Sequence, residues 1–444
     1  MYNNRGEAKT LLPRGIQMHI HKITLTNFRG ATSLSICLHE HLNVIIGENG
    51  TGKSTVLDAM AILLSWIISG IRSNNRNSRM GHLHISEDDI SNNQGLASIE
   101  ITCIDDGETI NWRLEKSREE SGSPEPTGEG LSNYTKRVRH KTISDNNQNN
   151  IPVFVYYRLN RAVSGTTSET ANISNQMTAY DSALTKGADF KNFFKWFRTR
   201  EDLENECKIR QGYDYIDPQL KAVRNALSQI LPEFTHLNIR RDPLRMEVDK
   251  EGRTLKFDQL SDGERFMISM VSDLARRMAI ANPKLENPLK GKGIILIDEI
   301  DLHLHPRWQR MIVPKLAEIF SACQFIFSTH SPSIITHVHP ENILLLKLEK
   351  GVISVSNPSN SYLSAIYQMI DNNNLALGST KEQFEREVKW AMAIKLFEMK
   401  WLSSGMAASL LGVNRTTFLM KLADYNIPLI DLTEEELLSD LANA

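Results

Sequence analysis

Gly47-Glu48-Asn49-Gly50-Thr51-Gly52-Lys53-Ser54-Thr55 is the stretch whose reading decides the fold. It fits G-x-x-x-x-G-K-[ST], the phosphate-binding P-loop. The apolar run 42–46 ahead of it reads as a buried strand, and 56–68 behind it as a helix. Strand, glycine loop and helix together are the context in which backbone N–H groups turn inward on phosphates, aided by the helix N-terminus. On this reading Asn49, Gly50, Thr51, Gly52 and Thr55 line the cradle, Lys53 reaches the β/γ-phosphates, and the Ser54 hydroxyl holds Mg²⁺. The expected cofactors are therefore ATP and Mg²⁺.

Working outward, 444 residues allow two or three domains. A net charge of −2 leaves any nucleic-acid binding to local patches. The four cysteines are scattered without C-x-x-C, which suggests neither zinc nor a disulfide framework and fits a reduced, cytoplasmic setting. Residues 1–17 are polar, without a signal-peptide core. The longest apolar stretch, 59–71, reads as a buried helix too short to span a bilayer, and no membrane association is expected.

Downstream, two more apolar runs end in chemically useful residues. Gly293-Ile294-Ile295-Leu296-Ile297-Asp298-Glu299 reads as a strand buried on both faces, closing on two acids. Cys323-Gln324-Phe325-Ile326-Phe327-Ser328-Thr329-His330 is another, closing on a histidine. Between the P-loop and these, 99–104 and 109–114 read as a hairpin across Asp105-Asp106-Gly107-Glu108. Residues 72–97 and 117–150 read as loops, the second carrying a basic run, Lys136, Arg137, Arg139 and Lys141, around Tyr134. Residues 151–157 read as a strand, 180–232 as helical with a core stripe of aromatics, and 237–257 as a short strand cluster.

These motifs, in this order, resemble the ABC/SMC-like class of P-loop ATPases. Leu260-Ser261-Asp262-Gly263-Glu264-Arg265 resembles the ABC signature, with Asp262 and Glu264 in place of Gly and Gln. The resemblance implies an α/β ABC-type head over 18–350 with a helical insertion at about 165–235. It makes 293–299 a Walker B element in which Asp298 orders Mg²⁺ and Glu299 polarises the attacking water. It makes Asp301 a D-loop residue reaching across a dimer, and His330 an H-switch contacting the γ-phosphate. Ser261 and Gly263 would close over the nucleotide of a second copy, so the hydrolytic pocket would be completed by a head-to-tail homodimer or higher oligomer. Ile23-Thr24-Leu25-Thr26-Asn27-Phe28-Arg29-Gly30 resembles the SMC-type opening, which would bring Arg29 near the nucleotide; the plain alternative is a solvated turn residue. The family's glutamine loop is not identified near 158–161. His303 and His305 form an H-x-H pair without further ligands at metal spacing.

Further phrases, among them 200–206, 273–277 and 301–310, look like a bacterial group of stand-alone AAA/ABC-type ATPases that includes the PtuA-like proteins of Septu and retron antiphage modules. That likeness implies an ATP-hydrolysing sensor or regulator beside a separate nuclease of HNH or PIN type, since no nuclease signature stands in this chain. The alternative is an SMC-like DNA-repair or chromosome-maintenance ATPase that binds DNA directly. Residues 351–380 read as a linker. Residues 381–444 read as a small all-α domain whose 403–418 stretch has helix-turn-helix rhythm, with Gly412 at the turn, similar to antitoxin-like proteins found beside PIN-type toxins. From 382 to 444 there are six Lys/Arg against ten Asp/Glu, a net of −4, which favours protein docking over a DNA grip.

Overall fold

The computed structural model describes residues 18–72, 82–119, 124–144, 149–158, 175–185, 187–188, 190–302, 304–349, 351–357, 381–398 and 402–424. Its centre is a six-stranded sheet. In chain order the strands are β3 (Leu42–Ile46), β6 (Val153–Tyr157), β10 (Gly293–Ile297), β11 (Cys323–Ser328), β12 (Ile343–Glu349) and β13 (Val352–Ser356). They lie side by side as β13-β12-β3-β11-β10-β6. All pairs are parallel except β12 with β13. β6, β10 and β11 are buried at every position, which explains their continuous apolar runs. Register aligns Leu42, Phe325, Ile295 and Val155 across four strands. Their carboxyl ends therefore open onto one edge, and parallel sheets place ligands there.

A second, antiparallel sheet is ordered β2-β1-β4-β5, from β1 (His19–Phe28), β2 (Ala31–Cys37), β4 (Leu96–Asp105) and β5 (Glu108–Ser117). The expected hairpin is β4–β5, turning through Asp106 and Gly107, both at positive φ. Helix α1 (Lys53–Arg72) is tied to this sheet: Trp112 Nε1 donates to Leu63 O at 3.2 Å. α1 is longer than the apolar run that marks it. By length and composition it could cross a bilayer, but 67% of its apolar window is buried inside the protein. Gln324, fully buried, fastens β11 to β1 by accepting from Ile20 N (2.7 Å) and donating to Ile20 O (2.9 Å).

α2 (Leu131–Ser144) corrects the loop expected across 117–150. Its Tyr134, Thr135 and Thr142 are buried, a spacing of one helix face, and Tyr134 OH donates to Asp105 Oδ2 at 3.1 Å. Polar composition hid the helix, because its inward face mixes Leu131, Tyr134 and Val138 with two threonines. The opposite face exposes Lys136, Arg137, His140 and Lys141. The aromatic stripe lies on α3 (Phe190–Gln211), with Phe193, Trp196 and Phe197 buried. α4 (Pro218–Ile230) follows, then a three-stranded sheet of β7 (Phe234–Arg241), β8 (Leu244–Lys250) and β9 (Arg253–Lys256).

α5 (Asp262–Ala281) carries the signature phrase at its N-terminus. Asp273, fully buried, accepts from Arg276 (2.8 Å), Arg277 (2.7 Å) and the Tyr157 hydroxyl (3.1 Å). Burial favours the neutral acid, but the two guanidiniums outweigh it and hold its pKa below the usual carboxylate range. The cluster locks α5 to the end of β6, whose Tyr157 O in turn accepts the Asp298 N–H at 2.9 Å.

β13 corrects the linker expected from residue 351. Gly351 turns the chain at φ +80°, and β13 pairs antiparallel with β12. Residues 358–380, the remainder of that linker, lie outside the described residues, as do 165–174 of the expected insertion, His303 and the acidic segment 425–444. Helices α6 (Pro306–Ile319) and α7 (Pro332–Ile335) complete this part of the fold. Three C-terminal helices, α8 (Lys381–Glu398), α9 (Ser404–Leu411) and α10 (Arg415–Asp424), gather a small core of their own around Trp390, Ala393, Ala407, Phe418 and Leu422. Gly412 ends α9 in the left-handed region, at φ +66°, as a helix-turn-helix requires.

Candidate nucleotide site

The P-loop leaves β3 and enters α1 at Lys53. At Gly47, φ is +154° and an added Cβ would lie 2.5 Å from Leu346 O; at Gly52, φ is +91° and a Cβ would lie 2.9 Å from Ile353 Cδ1. Gly47 is demanded on both conformational and steric grounds, against backbone, and Gly52 on conformational grounds, since the Ile353 tip can give way. Lys53 is 6% exposed, and its ammonium donates to Gly47 O (2.9 Å) and Glu48 O (2.8 Å). Burial is the main cause of its lowered pKa, about 8, against the opposing pull of Glu299, Asp298 and Asp301. Asn49, Gly50 and Ser54 are exposed along the loop, and Thr51 is buried with its hydroxyl on Glu48 O at 2.8 Å.

The depressed lysine gives a signed expectation. Lys53 carries its charge below about pH 8 and loses it above. Phosphate prefers the charged form, so nucleotide affinity is expected to fall from about pH 7 to about pH 9, with proton uptake on binding at the upper end. Calorimetry in buffers of different ionisation enthalpy checks this; an affinity flat over that interval would refute it.

Asp298 is 3% exposed at the end of β10 and accepts the Ser328 hydroxyl. Glu299 follows at φ +47°, a left-handed conformation that costs about 1–3 kcal/mol in a non-glycine residue. Its N–H is held by Ser328 Oγ at 2.7 Å. Asp301 accepts from the Thr329 hydroxyl and from His330 N at 3.3 Å. Gln309 ties the same loop to α6, donating to Asp301 O (3.2 Å) and Leu304 O (3.0 Å) while accepting from the Ser331 hydroxyl (2.7 Å). His330 is 4% exposed, and neither ring nitrogen has a hydrogen-bond partner among the described residues. Burial first, then the Lys53 charge, pushes its pKa down to about 4, so the ring is neutral at physiological pH.

A desolvated lysine in a glycine loop, two acids and an orphaned buried imidazole thus share one sheet edge. This donor set fits a polyphosphate: the amides and Lys53 supply positive potential, and the orphaned ring supplies a hydrogen bond. Comparison with known proteins agrees. A family model described as "AAA domain, putative AbiEii toxin, Type IV TA system" matches residues 42–336. The chain belongs to this family of AAA-type ATPases. "Retron Ec83 probable ATPase" of Escherichia coli is 31% identical, covering 78% of this chain and 74% of its own length. The Septu protein PtuA of Bacillus thuringiensis is 24% identical, covering 74% and 76%. An SMC head domain from Thermotoga maritima superposes with a TM-score of 0.44 at 16% identity, covering 76% of this chain and 98% of that one. A second model, an uncharacterised protein family (UPF0175), matches residues 368–444. The protein is thus an AAA-type ATPase linked to retron and Septu antiphage defence and to toxin–antitoxin-like systems.

In this AAA-type ATPase, Arg29 is not a solvated turn residue. It sits at φ +50° and donates to Asp58 Oδ2 on α1 (2.6 Å) and to Asp89 Oδ1 (2.8 Å). Asp58 also meets Arg158 at 2.9 Å, beyond the end of β6. The adjoining Gly30 and the P-loop's Gly52 both face Ile353 of β13, so this turn lies beside the phosphate loop. Ser261 is exposed at the head of α5. It caps the helix reciprocally with Glu264, its N–H to Glu264 Oε2 at 2.7 Å, and Lys250 of β8 reaches Glu264 Oε1 at 2.5 Å. Gly263 is buried behind it. His305 is the N-cap of α6, and no metal-holding group of His, Cys, Asp and Glu occurs among the described residues.

Sequence reading missed Ser328, Thr329, Gln309, Asp58 and Ile353. The first two were visible only as letters before the histidine. Ile353 had a signal, the alternation Val352-Ile353-Ser354-Val355-Ser356 after a glycine, which the polar stretch behind it obscured.

Proposed function

We propose that this ATPase is the nucleotide-driven regulator of a bacterial antiphage module, acting on a separate nuclease of HNH or PIN type in the cytoplasm. The observation that carries this reading is the convergence of Lys53, Asp298, Glu299 and the orphaned His330 at one sheet edge. Family membership implies ATP binding and hydrolysis, and a partner effector. In this reading residues 49–55 and Lys53 bind the phosphates, and Glu299 orients the attacking water and takes its proton. Neutral His330 donates to the γ-phosphate. Ser54 and Asp298 hold Mg²⁺, which when bound neutralises charge developing on the phosphates. Asp301, Ser261 and Gly263 act across a head-to-tail pair of chains, and Arg29 braces the phosphate loop through Asp58. The C-terminal helices serve as the protein-docking unit.

The test is to co-express the chain with its candidate nuclease and measure cleavage with ATP. Lys53→Ala is expected to change nuclease activity at least tenfold, in the range given by losing a charge-assisted phosphate contact of about 1.5–3 kcal/mol. Unchanged cleavage would overturn control by this site.

A second reading, direct DNA binding by an SMC-like repair or maintenance ATPase, is favoured by one observation. α2 contains no acid, and its exposed face carries Lys136, Arg137, His140 and Lys141. Arg137 is shared with Glu108 at 2.5 Å. If this face grips phosphates, Lys136→Glu with Lys141→Glu is expected to reduce the salt slope of duplex binding by about one per lost contact. Salt-independent or undetectable binding by the wild-type chain would discard this reading.

A further inference from the structure

We infer that Ser328 and Thr329 are paired positioning residues for ATP hydrolysis, two consecutive hydroxyls that clamp the acidic loop after β10 to the histidine loop after β11. The inference rests on the nucleotide-site reading above and gives a role to two residues that the motifs leave without one.

The geometry forces the direction of each clamp. Ser328 is fully buried at the end of β11. Its Oγ accepts the Glu299 N–H at 2.7 Å, and an amide can only donate. The single hydroxyl proton therefore goes to the other neighbour, Asp298 Oδ1. The chain Glu299 N–H to Ser328 O–H to Asp298 carboxylate has one polarity and fixes two acids with one side chain. Thr329, also fully buried, repeats it. Its Oγ1 accepts the Ser331 N–H at 3.0 Å, so its proton goes to Asp301 Oδ1. Asp301 also accepts the His330 N–H at 3.3 Å.

Two consequences follow for chemistry. Glu299 holds a left-handed backbone that is costly for glutamate, and the Ser328 bond to its N–H is part of what keeps it there. A carboxylate that must point at a water within hydrogen-bond reach loses rate steeply when it swings, because positioning supplies much of the effective concentration. The Thr329 clamp joins Asp301, the residue expected to face a second copy, to the backbone of His330. A displacement of Asp301 on pairing would thus be felt at the histidine.

The experiment compares wild type with Ser328→Ala, Thr329→Val and Thr329→Ser. It measures steady-state phosphate release, binding of a fluorescent ATP analogue with and without Mg²⁺, and thermal melting. Absence of turnover in the wild type would overturn the reading on which the inference rests, not the clamp itself. Given wild-type turnover, Ser328→Ala and Thr329→Val are expected to lower kcat at least tenfold. Mg²⁺-free nucleotide binding should stay within twofold. Ser328→Ala should also raise the Mg²⁺ concentration at half-maximal binding, because Asp298 loses its orienting donor. Thr329→Ser keeps the hydroxyl and should retain kcat within about twofold of wild type. Unchanged kcat in the first two variants would overturn the assignment. So would equal loss of binding and turnover, or equal loss in Thr329→Ser, since either marks a merely structural role.

Discussion

Glu299→Gln is expected to lower ATP turnover by about 10²–10⁴-fold, the contribution of a well-placed general base, while leaving nucleotide bound. The substitution is close to isosteric; it removes the ability to take a proton and, with it, the negative charge. The backbone that aims the side chain is unaffected, because its φ of +47° is held through the main-chain N–H on Ser328. The same change tests the electrostatics. Glu299 is the largest charge supporting protonated Lys53, so its loss should move the lysine pKa further down. Nucleotide affinity should therefore hold near neutrality and weaken earlier on the alkaline side than in the wild type. Phosphate release and nucleotide titration across pH measure the two effects separately. Turnover within tenfold of wild type would remove Glu299 from the water-activating role.

The parts of this site that could be read in the chain are those where one short segment carries both its fold and its chemistry. Strand β10 is five buried apolar residues followed at once by Asp298 and Glu299, and the P-loop states its turn in its glycines. The unread parts are relations between segments. Ser328 acquires meaning only because β11 lies beside β10 in register, Phe327 opposite Ile297, which brings the next residue of each strand within reach. Gly52 lies against Ile353, a residue 301 positions away, a neighbour that no local pattern announces. Arg29 could be read either as a neighbour of the nucleotide or as a solvated turn residue, because its two acids, Asp58 and Asp89, are distant in sequence and arrive from α1 and the segment before β4. α2 was lost for a different reason. Its inward face mixes Leu131, Tyr134 and Val138 with two threonines whose hydroxyls are satisfied within the helix, so hydrophobic periodicity was a weak signal in a polar stretch.

Ser261→Arg is expected to abolish ATP-driven pairing and to reduce turnover by about 10²-fold or more, comparable to removing a preorganised charge-stabilising contact, while the single chain still binds nucleotide. Ser261 is exposed at the N-terminus of α5, and the hydrogen bonds of its hydroxyl and N–H run to Glu264 of the same cap. Glu264 is engaged in turn by Lys250, and α5 is anchored at Asp273 by two arginines and Tyr157. The signature end is thus braced by hydrogen bonds within the chain, which suits the proposed docking on a second copy's phosphates. A bulky arginine there obstructs close approach but lies remote in sequence from the P-loop lysine, whose bonds are to Gly47 O and Glu48 O. Light scattering with ATP, using Glu299→Gln as the background that slows hydrolysis, reads the pairing directly, and nucleotide titration reads the monomer site. Pairing lost with affinity retained supports a pocket shared between two chains. Pairing and turnover both preserved would remove Ser261 from the shared pocket, and turnover preserved with pairing lost would show that Lys53, Asp298, Glu299 and His330 complete the reaction within a single chain.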